Sequence, residues 1–280
     1  NSGNTSSITN MDITRNGYIS PTQQSFTSDH LNPKRFSFNI SYNGKFLSVV
    51  DMVFMADATT HNEDKNTQIM DVNLGNEYSS NIESFHSNTY NLYTTKLDLA
   101  LPIINKMCKL EAGARFSYID NNNSFEFRRN SEGVWLLDPN FSNVVIYSEK
   151  LFGLYSILSG DISKFHYSLG LRFEHLEFNN TLLNDSSFVN QESRKHLFPN
   201  ITISYNHSKN ISSRYTFSRR ISRPSYSSLN NSMLYIDSLS VRKGNPFLEP
   251  TIYNTFSSNL SLYKKFNVGI TYSFIEKPLD

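Results

Sequence analysis

The sequence predicts an all-β protein: a transmembrane, antiparallel, up-and-down β-barrel, or part of one. Three observations carry this. Several runs alternate apolar and polar side chains residue by residue, the period of a strand with only one apolar face. The chain is polar on average, with mean hydropathy −0.44, yet 14% of its residues are aromatic, the balance that one-sided strands produce. Finally, the connections between runs alternate long and short along the whole chain, so the short turns gather at one end of the sheet.

Residues 1–34 are dominated by Asn, Ser and Thr without a sustained period, and read as a polar loop or lead-in. From Arg35 to Tyr42, Phe36, Phe38, Ile40 and Tyr42 alternate with polar residues. Asn43-Gly44 is a strong hairpin signal, and Lys45–Asp57 follows as the return strand. Residues 58–84 are mostly polar and read as a long connection. The third strand covers Phe85–Leu101, and residues 102–106 turn the chain. Leu110, Ala112, Ala114, Phe116 and Tyr118 form the apolar face of the fourth, opposed by Glu111, Gly113, Arg115 and Ser117. After a long polar stretch, 121–143, strand five spans about 144–159 and a tight turn follows at Gly160-Asp161. Strand six sets Phe165, Tyr167, Leu169, Leu171 and Phe173 against His166, Ser168, Gly170, Arg172 and Glu174. Residues 179–195 connect to strand seven, Leu197–Asn206. Strand eight, Ile211–Ser222, ends before Pro224, and residues 223–249 lead to strand nine. That strand turns at Lys264-Lys265 into strand ten, marked by Phe266, Val268, Ile270, Tyr272 and Phe274. The expectation is therefore about ten strands, with long connections at 58–84, 121–143, 179–195 and 223–249.

Short turns at one end and long loops at the other match the layout of outer-membrane barrels, whose short turns are periplasmic and long loops external. Hydrocarbon leaves no water for backbone groups, so only helices and closed barrels span it. No run of about 18 apolar residues offers a helix. A soluble sandwich would mix crossovers between two sheets instead.

Composition narrows function. The formal net charge is +1 and the basic residues are scattered, which excludes a phosphate-tracking groove and hence a nucleic-acid partner. A single cysteine, Cys108, rules out an internal disulfide framework. There is no nucleophile elbow, zinc-helix motif, paired-cysteine motif or glycine-rich phosphate loop, and the seven histidines are dispersed. The reading is a protein that is not an enzyme, with no cofactor and no metal site.

The stretch from Ile211 to Thr271 organises the rest. SRRISRP, containing Arg219, Arg220, Arg223 and Pro224, is followed by GNPFLEP, containing Gly244, Asn245, Pro246 and Pro250. With KLEAGARFSYID (109–120), IYSEKLFGLYSILSG (146–160), YSLGLRFEH (167–175) and FPNITISYN (198–206) upstream, this resembles the outer-membrane β-barrel family allied to TonB-dependent receptors, from about Tyr90 onward. The resemblance is to the middle of a barrel of about 22 strands. It implies that residues 35–280 are a partial barrel domain, an internal piece without the export signal, plug and final strands. Taken alone, such a piece is expected to form a curved open sheet.

The resemblance implies a receptor or transporter in the Gram-negative outer membrane that binds and imports a large scarce solute, a metal chelate or a glycan. Its partners would be outer-membrane lipid and lipopolysaccharide, the unknown solute, and a TonB-type energy-coupling protein acting through segments outside this chain. Two alternatives stand beside it: a passive or structural outer-membrane barrel without energy coupling, and a secreted β-rich binding or adhesion module. The candidate lumen-facing residues are Arg115, Arg172, Glu174, Arg214 and Arg220, whose bland role is to satisfy carboxylates and carbonyls on neighbouring strands. Arg219 falls on the apolar side of its strand, where a long cation can snorkel toward headgroups.

Overall fold

The computed structural model describes residues 3–15, 18–73, 79–103, 108–183, 189–229, 233–237, 240–245 and 247–276. Its strands are β1 (Gly3–Arg15), β2 (Tyr18–Phe46), β3 (Val50–Asn73), β4 (Ser79–Ile103), β5 (Cys108–Ser131), β6 (Val134–Leu137), β7 (Asn143–Ile162), β8 (Phe165–Leu182), β9 (Val189–Ser208) and β10 (Ile211–Ser222). They are followed by a single helical turn α1 (Tyr226–Leu229), β11 (Met233–Asp237), β12 (Ser240–Lys243), β13 (Thr251–Leu262) and β14 (Phe266–Glu276). One antiparallel sheet runs β1-β2-β3-β4-β5-β7-β8-β9-β10-β13-β14, with β6 folded back on β5 and β11-β12 as a separate hairpin. Among the described residues β1 and β14 each have a neighbour on one side only, so the sheet is open.

The register explains the sequence pattern. One row, Leu101–Leu110–Leu158–Leu169–Ile201–Phe217–Phe256–Tyr272, crosses eight strands with an apolar side chain on every one. A second row on the same face runs Tyr42–Phe54–Leu97–Ala114–Leu154–Phe173–Leu197. These residues are outward-facing; Leu169 is 44% exposed and Tyr272 64%. A contiguous apolar band of this kind needs a hydrocarbon neighbour.

Six residues beyond the second row on the same strands, roughly 20 Å at strand rise, that face changes character. There the row is Thr60–Asn91–Asp120–Ser148–Asn179–Gln191, polar at every position. The opposite face changes the other way. Ile69, Ile82, Phe125 and Phe127 are buried in one cluster, joined by Phe141, and Tyr147, Leu176 and Phe178 are buried in another. The apolar side of the sheet therefore swaps at the membrane boundary: outward where lipid lies, inward where water lies.

This swap accounts for the differences from expectation. The residues read as a polar lead-in, 1–34, hold β1 and the first half of β2. Much of 58–84, 121–143 and 179–195 is strand rather than loop. Near the swap both faces are polar, as in Asp120-Asn121-Asn122-Asn123-Ser124, and periodicity vanishes although the ladder continues. β2 to β5 are 24–29 residues long, more than twice the ~9–11 a tilted spanning strand needs. The hairpin expected at Asn43-Gly44 turns instead at residues 47–49. Asn43 and Gly44 remain paired with Val53 and Met52, and positive φ falls on Leu47 (51°) and Ser48 (62°). The turns at Ser163 and at Tyr263-Lys264 have the same signature, whereas the Lys209-Asn210 turn between β9 and β10 does not.

The two faces of β8 give a direct test. Arginine in place of Leu169, at the centre of the apolar band, should cost about 2–4 kcal/mol of unfolding free energy in lipid, whereas arginine in place of neighbouring Ser168 should cost little. Urea unfolding in phospholipid vesicles measures both, and equal losses would remove Leu169 from the hydrocarbon.

Candidate functional site

The candidate site is the face of the sheet opposite the apolar band. Register places all five candidate residues there. Two adjacent rows define it: Lys96–Arg115–Gly153–Glu174–His196 and Asp98–Gly113–Tyr155–Arg172–Phe198. Arg214 stands opposite Ser204 and Asn259, and Arg220 opposite Tyr253, on the same face.

The side chains fall into two groups along these rows. In the first, Tyr155 lies across Gly113 and its hydroxyl donates to Asp98 Oδ1 at 2.6 Å. Lys96 Nζ holds the other carboxylate oxygen at 2.5 Å. Glycine at 113 is what makes this possible. A Cβ there would lie 2.7 Å from Tyr155 Cζ and 2.7 Å from Asp98 Oδ1, well inside contact distance. Neither Asp98 nor Tyr155 stood out in the sequence; the available signal was glycine at a lumen-facing strand position opposite tyrosine.

The second group centres on Glu174, which is 9% exposed. Arg172 Nε approaches its Oε1 at 3.1 Å, while the Arg172 guanidinium also stacks 4.8 Å above the Phe198 ring. The opposite carboxylate oxygen accepts from Arg223 Nη2. Arg223 comes from beyond the end of β10, so Glu174 joins the wall of β8 to the connection after β10. The structure thus brings Arg172, Glu174 and Arg223 together and leaves the other arginines apart. Arg115 is separated from Glu174 by the bare Gly153 position. Arg214 donates from Nε to Ser204 Oγ at 3.2 Å. Arg220 lies six residues from it, roughly 20 Å along the strand.

The two halves of the proline-containing motif meet. Ser225 caps the turn that follows Pro224, with Leu229 N donating to Ser225 O at 3.2 Å, and Asn245 N donates to Ser228 O at 2.8 Å. Asn245 Oδ1 accepts from Phe247 N at 3.0 Å, a side-chain turn that sets the approach to buried Pro250 and β13. Pro246 lies outside the described residues. Arg219 is not free at the surface. Its guanidinium forks onto Glu276 at 2.9 and 3.3 Å and reaches Asn254 Oδ1 at 3.4 Å. Asn254 Nδ2 closes the network on Glu276 at 3.0 Å, tying together β10, β13 and β14 on the face that carries the apolar band.

Above the membrane level the wall carries further arginine–aromatic stacks. Arg129 lies over Phe127 and Phe141 at 5.1 and 5.4 Å, and Arg194 over Phe178 at 5.6 Å. Each has a carboxylate partner, Asp138 for Arg129 and Glu192 for Arg194. His86 sits on the same face beside this cluster. Burial holds its imidazole below the ordinary value near 6.5, partly offset by a hydrogen bond with the Asn123 side chain. Among the described residues no group of three or more His, Cys, Asp or Glu is arranged to hold a metal ion.

These contacts are open to measurement. Tyr155→Phe removes one hydrogen bond and should cost about 1 kcal/mol. Gly113→Val, which must expel the ring, should cost about 1–3 kcal/mol. Urea midpoints in micelles measure both, and a neutral Gly113→Val would mean that the ring does not lie there. For His86, the unfolded chain takes up a proton below about 6.5 that the folded state resists, so its contribution is full above that pH and is lost as pH falls below it. His86→Gln should flatten the stability–pH slope in that window, and an unchanged slope would contradict a half-buried imidazole held neutral.

Residues 50–278 match the family model described as outer membrane protein beta-barrel family. No curated protein matches the sequence. Among solved structures, the sheet is similar to the ferric yersiniabactin uptake receptor of Yersinia pestis, with 8% identity, TM-score 0.46, and coverage of 97% of this chain and 49% of that one. It is similar to the alcaligin outer-membrane receptor of Bordetella pertussis, with 8% identity, TM-score 0.38, and coverage of 98% and 49%. The ferric preacinetobactin receptor of Acinetobacter baumannii gives 11% identity, TM-score 0.40, and coverage of 99% and 47%. The chain spans about half the length of these receptors.

Proposed function

Because the chain belongs to the outer membrane protein beta-barrel family, we propose that it forms part of the wall of a TonB-dependent-type receptor that binds and imports a large scarce solute. The observation that carries this reading is the wall facing away from lipid. At hydrocarbon level it presents Lys96, Asp98, Arg115, Arg172 and Glu174 in two adjacent rows. Ionised groups at that depth require water or a polar occupant against them. A lumen wide enough for a plug and a large solute supplies both.

The resemblance of SRRISRP and GNPFLEP to the receptor family supports the same reading. So does the height of the strands above the membrane, which builds a tall external mouth with aromatic rings and arginines on its inner side. Metal chelates and glycans are the two solute classes that suit such a mouth. Energy coupling would act through a plug and a periplasmic contact segment outside this chain.

The experiment uses the full-length protein in planar bilayers, paired with calorimetric titration against ferric hydroxamate chelates, ferric catecholate chelates and a linear oligosaccharide. A receptor of this type should give no steady conductance and should bind one of the three probes. Steady open conductance with no binding would replace it by the passive barrel.

A further inference from the structure

We infer that Glu174 is a positioning residue: it fixes the start of the β10–β13 connection against the inner wall, making that segment a built part of the external mouth. The observations are independent of any ligand. The chain leaves β10 at Ser222, and the next residue, Arg223, turns back across the sheet to donate to Glu174 on β8. β9 separates β8 from β10, so this bond spans the full width of an intervening strand. Glu174 is itself held from the other side by Arg172 at 3.1 Å, and Arg172 is held by its stack on Phe198. A carboxylate shared between two guanidinium groups, one locked by an aromatic ring, is a preorganised acceptor.

A second anchor lies six residues further on. Leu229, at the end of the helical turn, packs against the buried cluster of Tyr147, Leu176 and Phe178. Its carbonyl accepts from Asn180 Nδ2 at 3.4 Å. Asn180 and Leu176 flank Phe178 on the face of β8 that carries Glu174, so both anchors use one face of one strand. The return half of the connection is tied to the same turn through Asn245 N on Ser228 O at 2.8 Å. The turn after Pro224 is therefore held by an ion pair, an apolar plug and a backbone bond to the approach of β13.

The consequence for recognition rests on the receptor reading: this turn contributes fixed rather than adaptable contacts to a solute. The attachment itself needs no solute. It is tested by hydrogen–deuterium exchange on the full-length protein in micelles, following the amides of Leu229 and Asn245, which donate in the turn. Glu174→Gln and, separately, Arg223→Gln should speed exchange there at least about tenfold, the scale of one lost charge-assisted bond. Peptides within β8 and β10 should be unchanged. Leu229→Ser should do the same through the second anchor. The double reversal, Glu174→Arg with Arg223→Glu, re-forms an opposite-charge pair between these two positions and should restore protection relative to either single reversal. Unchanged exchange in both glutamine variants, or no restoration in the reversal, would overturn the assignment. Absent solute binding with the turn still protected would overturn the receptor reading alone.

Discussion

The structure depends on one constraint: in hydrocarbon every backbone N–H and C=O must be paired by another strand. An uninterrupted antiparallel ladder meets that demand, and the ladder then dictates the side chains. Once Phe217 is opposite both Ile201 and Phe256, the faces of β9, β10 and β13 are fixed together. A slip of one residue would turn Arg214 and Arg220 into lipid and Phe217 into the lumen. The all-apolar row from Leu101 to Tyr272 is the visible product of that coupling across eight strands.

The same ladder continues beyond the membrane, where the solvent on its outer side changes. Backbone pairing does not distinguish lipid from water, but side chains do. The outer row becomes Thr60, Asn91, Asp120, Ser148, Asn179 and Gln191, while Phe125, Phe127, Tyr147 and Phe178 bury inward. Returning connections find an apolar surface there. Phe141, from the connection between β6 and β7, packs on one cluster and Leu229, from the connection after β10, on the other. The external mouth is thus a small water-soluble core grown on a membrane sheet.

Polar contacts on the inner wall are organised by what glycine and strand spacing allow. Gly113 gives Tyr155 a floor, so its hydroxyl reaches Asp98 two strands away. Gly153 leaves a bare step between Arg115 and Glu174, and Glu174 is held by Arg172 and Arg223. In each case a carboxylate is shared by two donors, the arrangement that best offsets the desolvation of charge against a packed wall.

The sequence by itself determined the fold class and the membrane-level strands. Lipid imposes one unbroken apolar face, and period-2 alternation such as Phe165 to Phe173 records it directly. What only the tertiary structure decided is where that alternation reverses and which side chains then meet. At Asp120–Ser124 both faces are polar, so strands continue with no periodic trace, and residues 1–34, 58–84, 121–143 and 179–195 read as loops. Arg223 and Glu174 are 49 residues apart, and Arg219 and Glu276 are 57 apart. Their pairing follows from strand order and register, quantities set by the sum of many backbone bonds rather than by any local run of residues.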